Sequence, residues 1–384
     1  SAIGGLCYAG IPITHRDYAS SFHVITGHLR DDDKENPEIN WNALANTNGT
    51  LVFLMGVANL QKISSNLIKE GKSKDTPVAL ISWATRSNQR VITSTLENVY
   101  ETAVRENVKP PTLIAVGDVV ELRDKLNFFE SKPLFGKNVI VTRSRTQSSS
   151  LVSKISDLGG NPIEVPTIKI EKIENNIALE NEIKNIKDYT YLILTSKNAV
   201  DIFFDKLDEM DLDSRVLANL KVCAIGSATA KEIKNRGKKA DIVPEKFVAE
   251  YLFEELKDIL KDSDKVLIPR AKNARDFLVD KISEICEVKE VHIYETVLDD
   301  SKKDEVLDIL NSGEADYITF ASSSTVTNFV DIIGKENIDK LNELKVISIG
   351  PITTQTAKSL NINVYNEAEV STIDGMIDSI MNDK

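Results

Sequence analysis

Residues 139–143 read Val-Ile-Val-Thr-Arg, and residues 266–270 read Val-Leu-Ile-Pro-Arg. A similar helical segment follows each of them, Leu151-Val-Ser-Lys-Ile-Ser156 in one case and Leu278-Val-Asp-Lys-Ile-Ser283 in the other. Two further pairs occur in the same order, Tyr191–Ser196 with Tyr317–Ser322 and Leu220–Gly226 with Leu344–Gly350. Three collinear matches at nearly constant spacing predict that residues 138–384 are a tandem duplication of one unit.

Each copy alternates short apolar strands with segments of helical period, in the order β-α-β-α-β-α-β. This pattern favours an open, mostly parallel sheet with helices on both faces. The predicted fold class is therefore α/β, with two parallel-sheet lobes that are expected to face one another across a cleft. Ligands of such sheets bind outside the carboxyl ends of the strands, so that edge of each lobe is the expected site.

A separate α/β region precedes the duplication. Residues 50–60 are predicted to form a buried strand, a turn and the start of a helix, and two more short apolar strands are predicted at Pro77–Trp83 and Pro111–Gly117. Residues 131–137 contain a proline and a glycine directly before a new strand and are predicted to be a linker after a domain of residues 1–130. Because the chain begins with Ser1 rather than Met, it is expected to be a fragment or a processed product.

The composition argues against several classes of protein. The net charge is −12, from 47 Lys and Arg against 59 Asp and Glu, whereas nucleic-acid binders normally carry a basic face. No apolar run is long enough to span a membrane and no signal peptide opens the chain, so the cytoplasm is the expected compartment. Three cysteines without a C-x-x-C pair, and only four histidines, argue against a disulfide scaffold or a metal site.

The acidic excess lies in the duplicated region. Residues 136–384 carry 44 acidic and 33 basic side chains, whereas residues 1–135 are nearly balanced. An acidic ligand of the duplicated region must therefore be bound by local groups, against the overall charge. A neutral to basic cleft, with the acidic excess on the outer faces, is the expectation.

Four strand-to-helix turns of the duplicated region carry small hydroxyl-bearing residues or glycine. At a helix N-terminus, free backbone N–H groups and the positive end of the dipole favour anions. Serine and threonine are also preferred N-caps, so ordinary capping explains any single turn. Recurrence in both copies favours a polyanion site, and both interpretations stay open. The candidate ligands are Thr195, Ser196, Asn198, Gly226, Ser227, Thr229, Ser322, Ser323, Gly350 and Thr353.

Arg143 and Arg270 occupy equivalent positions after a strand. A guanidinium there can fork onto a carboxylate or phosphate, and the alternative is pairing with acidic neighbours in solvent. Tyr294 is the acid–base candidate, although most tyrosines in strands are packing residues. The chain has no G-x-x-x-x-G-K-[ST], no G-x-G-x-x-G after a strand and no G-x-S-x-G. An enzyme in this region is therefore expected to work without metal, cofactor or covalent nucleophile.

Residues 138–384 resemble the uroporphyrinogen-III synthase family over its full length. The resemblance lies in a series of short motifs in the family's order: Val141-Thr-Arg143, Leu158-Gly-Gly160, Thr195-Ser-Lys-Asn-Ala-Val200, Ala224-Ile-Gly226, Pro269-Arg270, Tyr294-Glu-Thr296, Phe320-Ala-Ser-Ser323 and Ile349-Gly350. It implies two lobes joined by a two-stranded ladder, with lobe one formed by residues 138–167 and 297–384 and lobe two by residues 172–292.

The synthase resemblance also implies a reaction. Hydroxymethylbilane, a linear tetrapyrrole octacarboxylate, loses its hydroxyl and closes with inversion of ring D to give uroporphyrinogen III, without a cofactor. Control of substrate conformation is the main task of such an enzyme. Tyr294 matches the family's candidate for the general acid that helps the hydroxyl leave; a phenol is protonated at neutral pH and can donate a hydrogen bond.

Residues 1–135 resemble the C-terminal half of uroporphyrinogen-III C-methyltransferase, a tetrapyrrole methylase. The matching motifs are Ala9-Gly-Ile-Pro-Ile-Thr-His-Arg16, Phe53-Leu-Met-Gly56, Thr76-Pro-Val-Ala79, Trp83-Ala-Thr-Arg86 and Pro111-Thr-Leu-Ile-Ala-Val-Gly117. The order of the two regions is that of a bifunctional methyltransferase–synthase fusion. The resemblance implies S-adenosylmethionine as cofactor, precorrin-2 as product in the intact protein, and a homodimer through this part. Ser1, Met55 and Ala84 match positions that line the cofactor pocket.

The sequence departs from the methylase pattern because the family's N-terminal lobe, with its Gly-rich loop, is absent. The chain is therefore expected not to methylate and to expose an apolar face. Two alternatives to a synthase stay open from the residues alone. One is a two-lobed binding or sensor protein that closes on a small polyanion without chemistry, and the other is a docking module for the methyltransferase.

Overall fold

The computed structural model of the chain describes residues 1–27, 39–143, 145–246 and 248–382. The chain divides into two units, Ser1–Pro166 with Ser301–Lys384, and Thr167–Asp300. We call these the first and the second unit. The bounds that the resemblance implied, residues 138–167 with 297–384 for lobe one and 172–292 for lobe two, stay predictions. No helix in the described part of the chain is long and apolar enough to cross a membrane.

The N-terminal region of the first unit contains a five-stranded mixed sheet in the order β1-β2-β5-β3-β4, in which β1 and β2 are parallel and the other pairs antiparallel. The strands predicted near residues 50, 77 and 111 are confirmed as β2, β3 and β5. The strands are β1 Phe22–Thr26, β2 Thr50–Leu54, β3 Pro77–Ser82, β4 Arg90–Thr95 and β5 Thr112–Val116. The helices are α1 Ala2–Tyr8, α2 Trp41–Ala45, α3 Leu60–Lys69, α4 Val99–Arg105 and α5 Arg123–Leu126.

Lobe one of the duplicated region completes the first unit with an all-parallel sheet in the order β15-β14-β13-β6-β7. Its central strands are buried on both faces, as expected where helices cover both sides of a parallel sheet. The strands are β6 Asn138–Val141, β7 Asn161–Glu164, β13 Tyr317–Phe320, β14 Lys345–Ser348 and β15 Val364–Glu367. The helices are α6 Arg145–Asp157, α12 Lys303–Ser312, α13 Ser323–Ile333, α14 Ile338–Leu341, α15 Pro351–Ser359 and α16 Ile373–Met381.

The second unit has a five-stranded sheet in the order β10-β9-β11-β12-β8. It is parallel except for β8, which pairs antiparallel with the second half of β12. This pair is the two-stranded ladder that the resemblance implied. The strands are β8 Ile168–Lys172, β9 Tyr191–Leu194, β10 Lys221–Ala224, β11 Lys265–Ala271 and β12 Glu287–Leu298. The helices are α7 Ile177–Lys184, α8 Lys197–Glu209, α9 Ser227–Asn235, α10 Ala249–Lys257 and α11 Phe277–Ser283.

The two sheets share their strand order, as the duplication requires. Strands β10-β9-β11-β12 of the second unit correspond by sequence to β14-β13-β6-β7 of lobe one, and both sets lie in that order. A cation–π contact is also repeated: Lys221 lies 5.4 Å from the Tyr191 ring, and Lys345 lies 5.7 Å from the Tyr317 ring. The predicted fold class, α/β with an internally duplicated parallel-sheet region, is confirmed.

The segment predicted as a linker, residues 131–137, is packed on both sides. Just before it, the buried Phe129 stacks edge-on against Tyr8 at 4.7 Å and against Phe135 at 5.4 Å. Leu134 is buried in the core of lobe one, and its N–H donates to the carbonyl of Leu158. The segment therefore ties the N-terminal region to lobe one, which explains why both belong to one unit.

Candidate functional site

The acid–base candidate and one predicted turn residue meet in the second unit. The Tyr294 hydroxyl lies 2.9 Å from Ser196 Oγ, which lies at the end of β9. Ser196 also caps helix α8, because its Oγ accepts a hydrogen bond of 3.0 Å from the Ala199 N–H. Tyr294 is only 5% exposed and belongs to the apolar core cluster of this unit. The pair thus joins a phenol, a serine hydroxyl and a helix N-terminus at one point.

The remaining turn residues of the second unit lie along the same edge. Strands β9 and β10 are adjacent and parallel, and an Ile225 N–H to Leu194 carbonyl bond links the residues at their carboxyl ends. No side chain caps α9, whose N-cap is the extended Gly226. The first-turn backbone N–H groups there are left to solvent or to a ligand. Along this edge, Thr195 and Asn198 are half-buried, Thr229 is buried and Ser227 is exposed.

Lobe one repeats the arrangement within the first unit. Ser322 caps α13 through a capping box with Thr325, whereas α15 begins at Gly350 without a side-chain cap. The two turns are joined by a 3.0 Å bond from the Ile349 N–H to the Phe320 carbonyl. Each lobe therefore has one turn capped by its own serine and one uncapped turn that begins with glycine. The half-buried Ser323 and the buried Thr353 belong to these turns.

Arg143 and Arg270, predicted as equivalent substrate ligands, are placed differently. Arg143 is half-buried two residues beyond β6, which is adjacent to β13. Arg270 is 3% exposed, and its guanidinium donates to Glu290, to Asp276 and to the Arg275 carbonyl.

The predicted role of Arg270 as a substrate ligand is corrected by this geometry. Burial disfavours its charge, but the bonds to Asp276 and Glu290 outweigh that cost and raise its pKa further. The guanidinium is buried and is committed to protein groups. Arg270 therefore holds the end of β11 against α11 and β12 rather than binding a ligand. The sequence signal for this was the acidic pair Asp276 and Glu290 nearby.

The three residues predicted to line a cofactor pocket lie together in the N-terminal region. Ser1, Met55 and Ala84 line one cavity of about 700 Å³ beside the carboxyl ends of β2 and β3. Among the lining residues that the structure describes, Arg86 carries the only charged side chain. The cavity is thus largely apolar, and Met55 is 66% exposed at its rim.

Sequence reasoning missed part of this cavity. Trp83 and Thr85 also line it, and both have positive φ angles, 50° and 72°, as does Met55 at 55°. Non-glycine residues other than Asn and Asp rarely adopt this conformation, and residues held in it by the surrounding structure cluster at functional sites. The motif around Trp83 was visible in the sequence, but the left-handed backbone was not.

A buried polar network supports the same loop from behind. Gln89, 5% exposed, accepts from the Thr85 N–H and donates to the Tyr8 carbonyl and to Glu130. Glu130 also accepts from Arg123. Every member has a partner, so the network fixes the loop and anchors it to the segment that enters lobe one.

Comparison with known proteins identifies two families along the chain. A family model described as uroporphyrinogen-III synthase HemD matches residues 149–378, and a model described as tetrapyrrole (corrin/porphyrin) methylases matches residues 1–100. The porphyrin biosynthesis protein HemD of Ruminiclostridium josui is 40% identical over 382 residues, which cover 99% of this chain and 75% of that protein. The uroporphyrinogen-III C-methyltransferase of Bacillus subtilis is 37% identical over 237 residues, 62% of this chain and 48% of that protein.

Solved structures of both kinds resemble parts of the chain. A mutant uroporphyrinogen III synthase from Thermus thermophilus is 16% identical, with a TM-score of 0.44, and covers 64% of this chain and 97% of its own. A uroporphyrin-III C-methyltransferase from Thermus thermophilus, complexed with S-adenyl homocysteine, is 31% identical, with a TM-score of 0.27. It covers 30% of this chain and 48% of its own.

Proposed function

The chain belongs to the uroporphyrinogen-III synthase family, fused to part of a tetrapyrrole methylase, and we propose how its described residues serve the two activities. The synthase cyclises hydroxymethylbilane to uroporphyrinogen III with loss of water and inversion of ring D. The observation that carries the proposal is the Tyr294–Ser196 pair, which holds a phenol just after β9. The neighbouring turn at Gly226 has backbone N–H groups that no side chain caps.

Binding of an octacarboxylate is assigned to neutral donors. In the second unit, the uncapped first turn at Gly226 offers backbone N–H groups, and Ser227 and Thr229 offer hydroxyls. Lobe one offers, by itself, the uncapped turn at Gly350 and the hydroxyl of Ser323. Neutral donors at a helix N-terminus bind carboxylates without buried cations, which suits a region with 44 acidic and 33 basic side chains. Arg143 remains the candidate for a charged contact in lobe one.

Tyr294 is assigned the role of general acid. The C–O bond of the hydroxymethyl group breaks, its electron pair leaves with the oxygen, and the phenolic proton completes the water molecule. Ring D then attacks through its substituted carbon, and rearrangement through a spiro intermediate inverts the ring. The pyrrole proton released on closure returns to the phenolate, so the step balances with water as the only by-product.

The experiment that tests this function uses the full chain. Hydroxymethylbilane is supplied, and the uroporphyrin isomers are resolved after oxidation. Isomer III should predominate with the wild-type chain, and Tyr294→Phe should slow its formation. Isomer I alone, the product of spontaneous closure, would favour the non-catalytic binding alternative. Full activity of Tyr294→Phe would remove the acid assignment but leave the synthase intact.

The N-terminal region is assigned the cofactor half-site of a methylase. The cavity volume of about 700 Å³ lies within the range of small-molecule sites. Its apolar lining and strand-end backbone fit a nucleoside-like ligand. Ser1, Met55 and Ala84 would contact S-adenosylmethionine, which supplies a methyl group when bound. The chain's own residues here bind and orient. Ser1 and Thr85 are the lining residues whose hydroxyls are available to donate to the ligand, because the Thr112 hydroxyl donates to the Lys109 carbonyl.

Ligand binding to this cavity can be measured without any methyl transfer. Titration with S-adenosylhomocysteine should change the fluorescence of Trp83, which lines the cavity and is 44% exposed. The variant Trp83→Phe should lose the signal while calorimetry still reports binding. The variant Met55→Asp, at an exposed rim position, should weaken binding without changing the melting temperature. No binding at millimolar ligand would overturn the assignment.

A further inference from the structure

The hydrogen bonds of Ser196 leave one hydroxyl proton of the Ser196–Tyr294 pair unused. Ser196 Oγ accepts from the Ala199 N–H at 3.0 Å and lies 2.9 Å from Tyr294 Oη. A hydroxyl has one proton to donate and can accept twice. Whichever of the two oxygens donates across the pair, the other hydroxyl proton stays free for a third group. The pair therefore acts as a unit that presents one donor.

Ser196 holds the Tyr294 hydroxyl in place. The ring is packed in the apolar core of the second unit and is 5% exposed. Among the described residues, Ser196 is the one that hydrogen-bonds its hydroxyl. Ser196 is itself held by the first turn of α8, a helix of 13 residues. The orientation of the phenol is thus set by a helix terminus through one serine.

The duplication supplies an internal comparison. Ser322 is the equivalent residue of lobe one and caps α13 as Ser196 caps α8. Its second hydroxyl contact is Ser324 Oγ, at 3.0 Å, within its own turn. Among the described residues, capping is therefore common to both copies, whereas the bond to a tyrosine occurs only in the second unit. Helix capping alone therefore does not explain the contact of Ser196 with Tyr294.

We propose that Ser196 is a positioning residue for Tyr294. It donates its proton to Tyr294 Oη, which turns the phenolic proton toward the leaving hydroxyl. As that proton is transferred, negative charge develops on Oη, and the bond from Ser196 becomes charge-assisted and strengthens. The N-terminus of α8 adds a favourable dipole. This inference rests on the proposed function and assigns to Ser196 an effect that acts through Tyr294.

The test removes the Ser196 hydroxyl while keeping the helix cap. Glycine is nearly as good an N-cap as serine, and Gly226 already serves this role on α9. Ser196→Gly should lower kcat by about 10- to 100-fold, the range for losing a charge-assisted hydrogen bond in the transition state, with little change in KM. Ser196→Thr, which restores the hydroxyl, should recover kcat to within about threefold.

A double-mutant cycle separates positioning from a structural effect. In the Tyr294→Phe background, Ser196→Gly should change kcat less than about twofold, because the group it acts on is gone. Equal factors in both backgrounds would overturn the inference, as would an unchanged kcat in Ser196→Gly alone. Ser322→Gly is the matched cap variant, and its effect on kcat should multiply with that of Tyr294→Phe.

Two further readouts keep this result distinct from failure of the proposed function. If the wild-type chain forms only isomer I, the synthase assignment fails and Ser196 has no reaction to serve. If the wild type forms isomer III and the effects of the two substitutions multiply independently, only the inference fails. Melting temperatures of Ser196→Gly and Ser322→Gly should each fall by only a few degrees; unfolding of Ser196→Gly at the assay temperature would assign it a structural role instead.

Discussion

Replacing Arg270 by methionine tests whether this arginine holds the second unit together. Its side chain is 4% exposed, against 27% for Glu290 and 70% for Asp276. Breaking a buried ion pair by removing one partner typically costs about 3–5 kcal/mol. Asp276 is largely exposed, so its ion pair with Arg270 contributes as much to stability as a surface pair does, about 0–1 kcal/mol. The part-buried carboxylate of Glu290 keeps a 2.6 Å contact to His292. We therefore expect a loss of about 2–4 kcal/mol in unfolding free energy.

The measurement is urea unfolding of the full chain, followed by circular dichroism, with the KM for hydroxymethylbilane determined in parallel. If thermal unfolding is followed instead, a loss of about 1 kcal/mol in unfolding free energy lowers the melting temperature by ~2–4 °C. The double variant Arg270→Met/Glu290→Leu should recover part of the loss, because no buried charge is then left unpaired. An unchanged midpoint together with a KM raised tenfold would refute this reasoning and return Arg270 to the substrate ligands.

Three more outcomes follow from other groups of the chain. Burial, aided by a nearby aspartate, raises the pKa of Cys223 to about 12, so iodoacetamide should label the exposed Cys7 and spare Cys223 until the chain unfolds, as read by mass spectrometry. Burial of Asp205 opposes its ionisation, but its bonds to a lysine and an arginine prevail and lower its pKa. Stability from a lowered carboxylate pKa is present above the unfolded value and is lost as pH falls, so Asp205→Asn should flatten the decline of melting temperature below about pH 4; parallel curves would contradict this. Glu130→Ala leaves the 13%-exposed Arg123 without its carboxylate partner, although its bond to the Ala9 carbonyl remains, and should cost about 2–4 kcal/mol in urea unfolding, whereas a change below about 0.5 kcal/mol would show that the network does not hold the junction.

The duplicated region shows which features of the fold the sequence could predict. Buried strands such as Val139–Val141 and their repeat at residue 266 recur in sequence because parallel strands covered by helices need apolar residues on both faces. The strand order shared by the two sheets follows from that repeat. The two-stranded ladder of β8 and β12 was implied by family resemblance alone, since its residues show no pattern that distinguishes a connecting ladder from any other strand pair.

The candidate site was less predictable than the fold. Four turns were found from their hydroxyl residues, but the sequence could not tell which helices use serine as their cap and which leave their N–H groups open. The Arg143 and Arg270 pair illustrates the same limit. Equivalent positions in a duplicated sequence predicted equivalent roles, yet Arg270 is buried and paired with Asp276 and Glu290, whereas Arg143 is only half-buried.

The sequence by itself determined the α/β class, the duplication, the strand ends that carry polar groups and the two family resemblances, because each is written in local periodicity or in short motifs. The tertiary structure alone decided which of those groups meet. Tyr294 and Ser196 are 98 residues apart along the chain, and Gln89 and Glu130 are 41 apart. Hydrogen bonds between such distant groups depend on how β9, β11 and β12 align and on how a loop closes. Those alignments are set by packing of the whole sheet, and no window of sequence contains them.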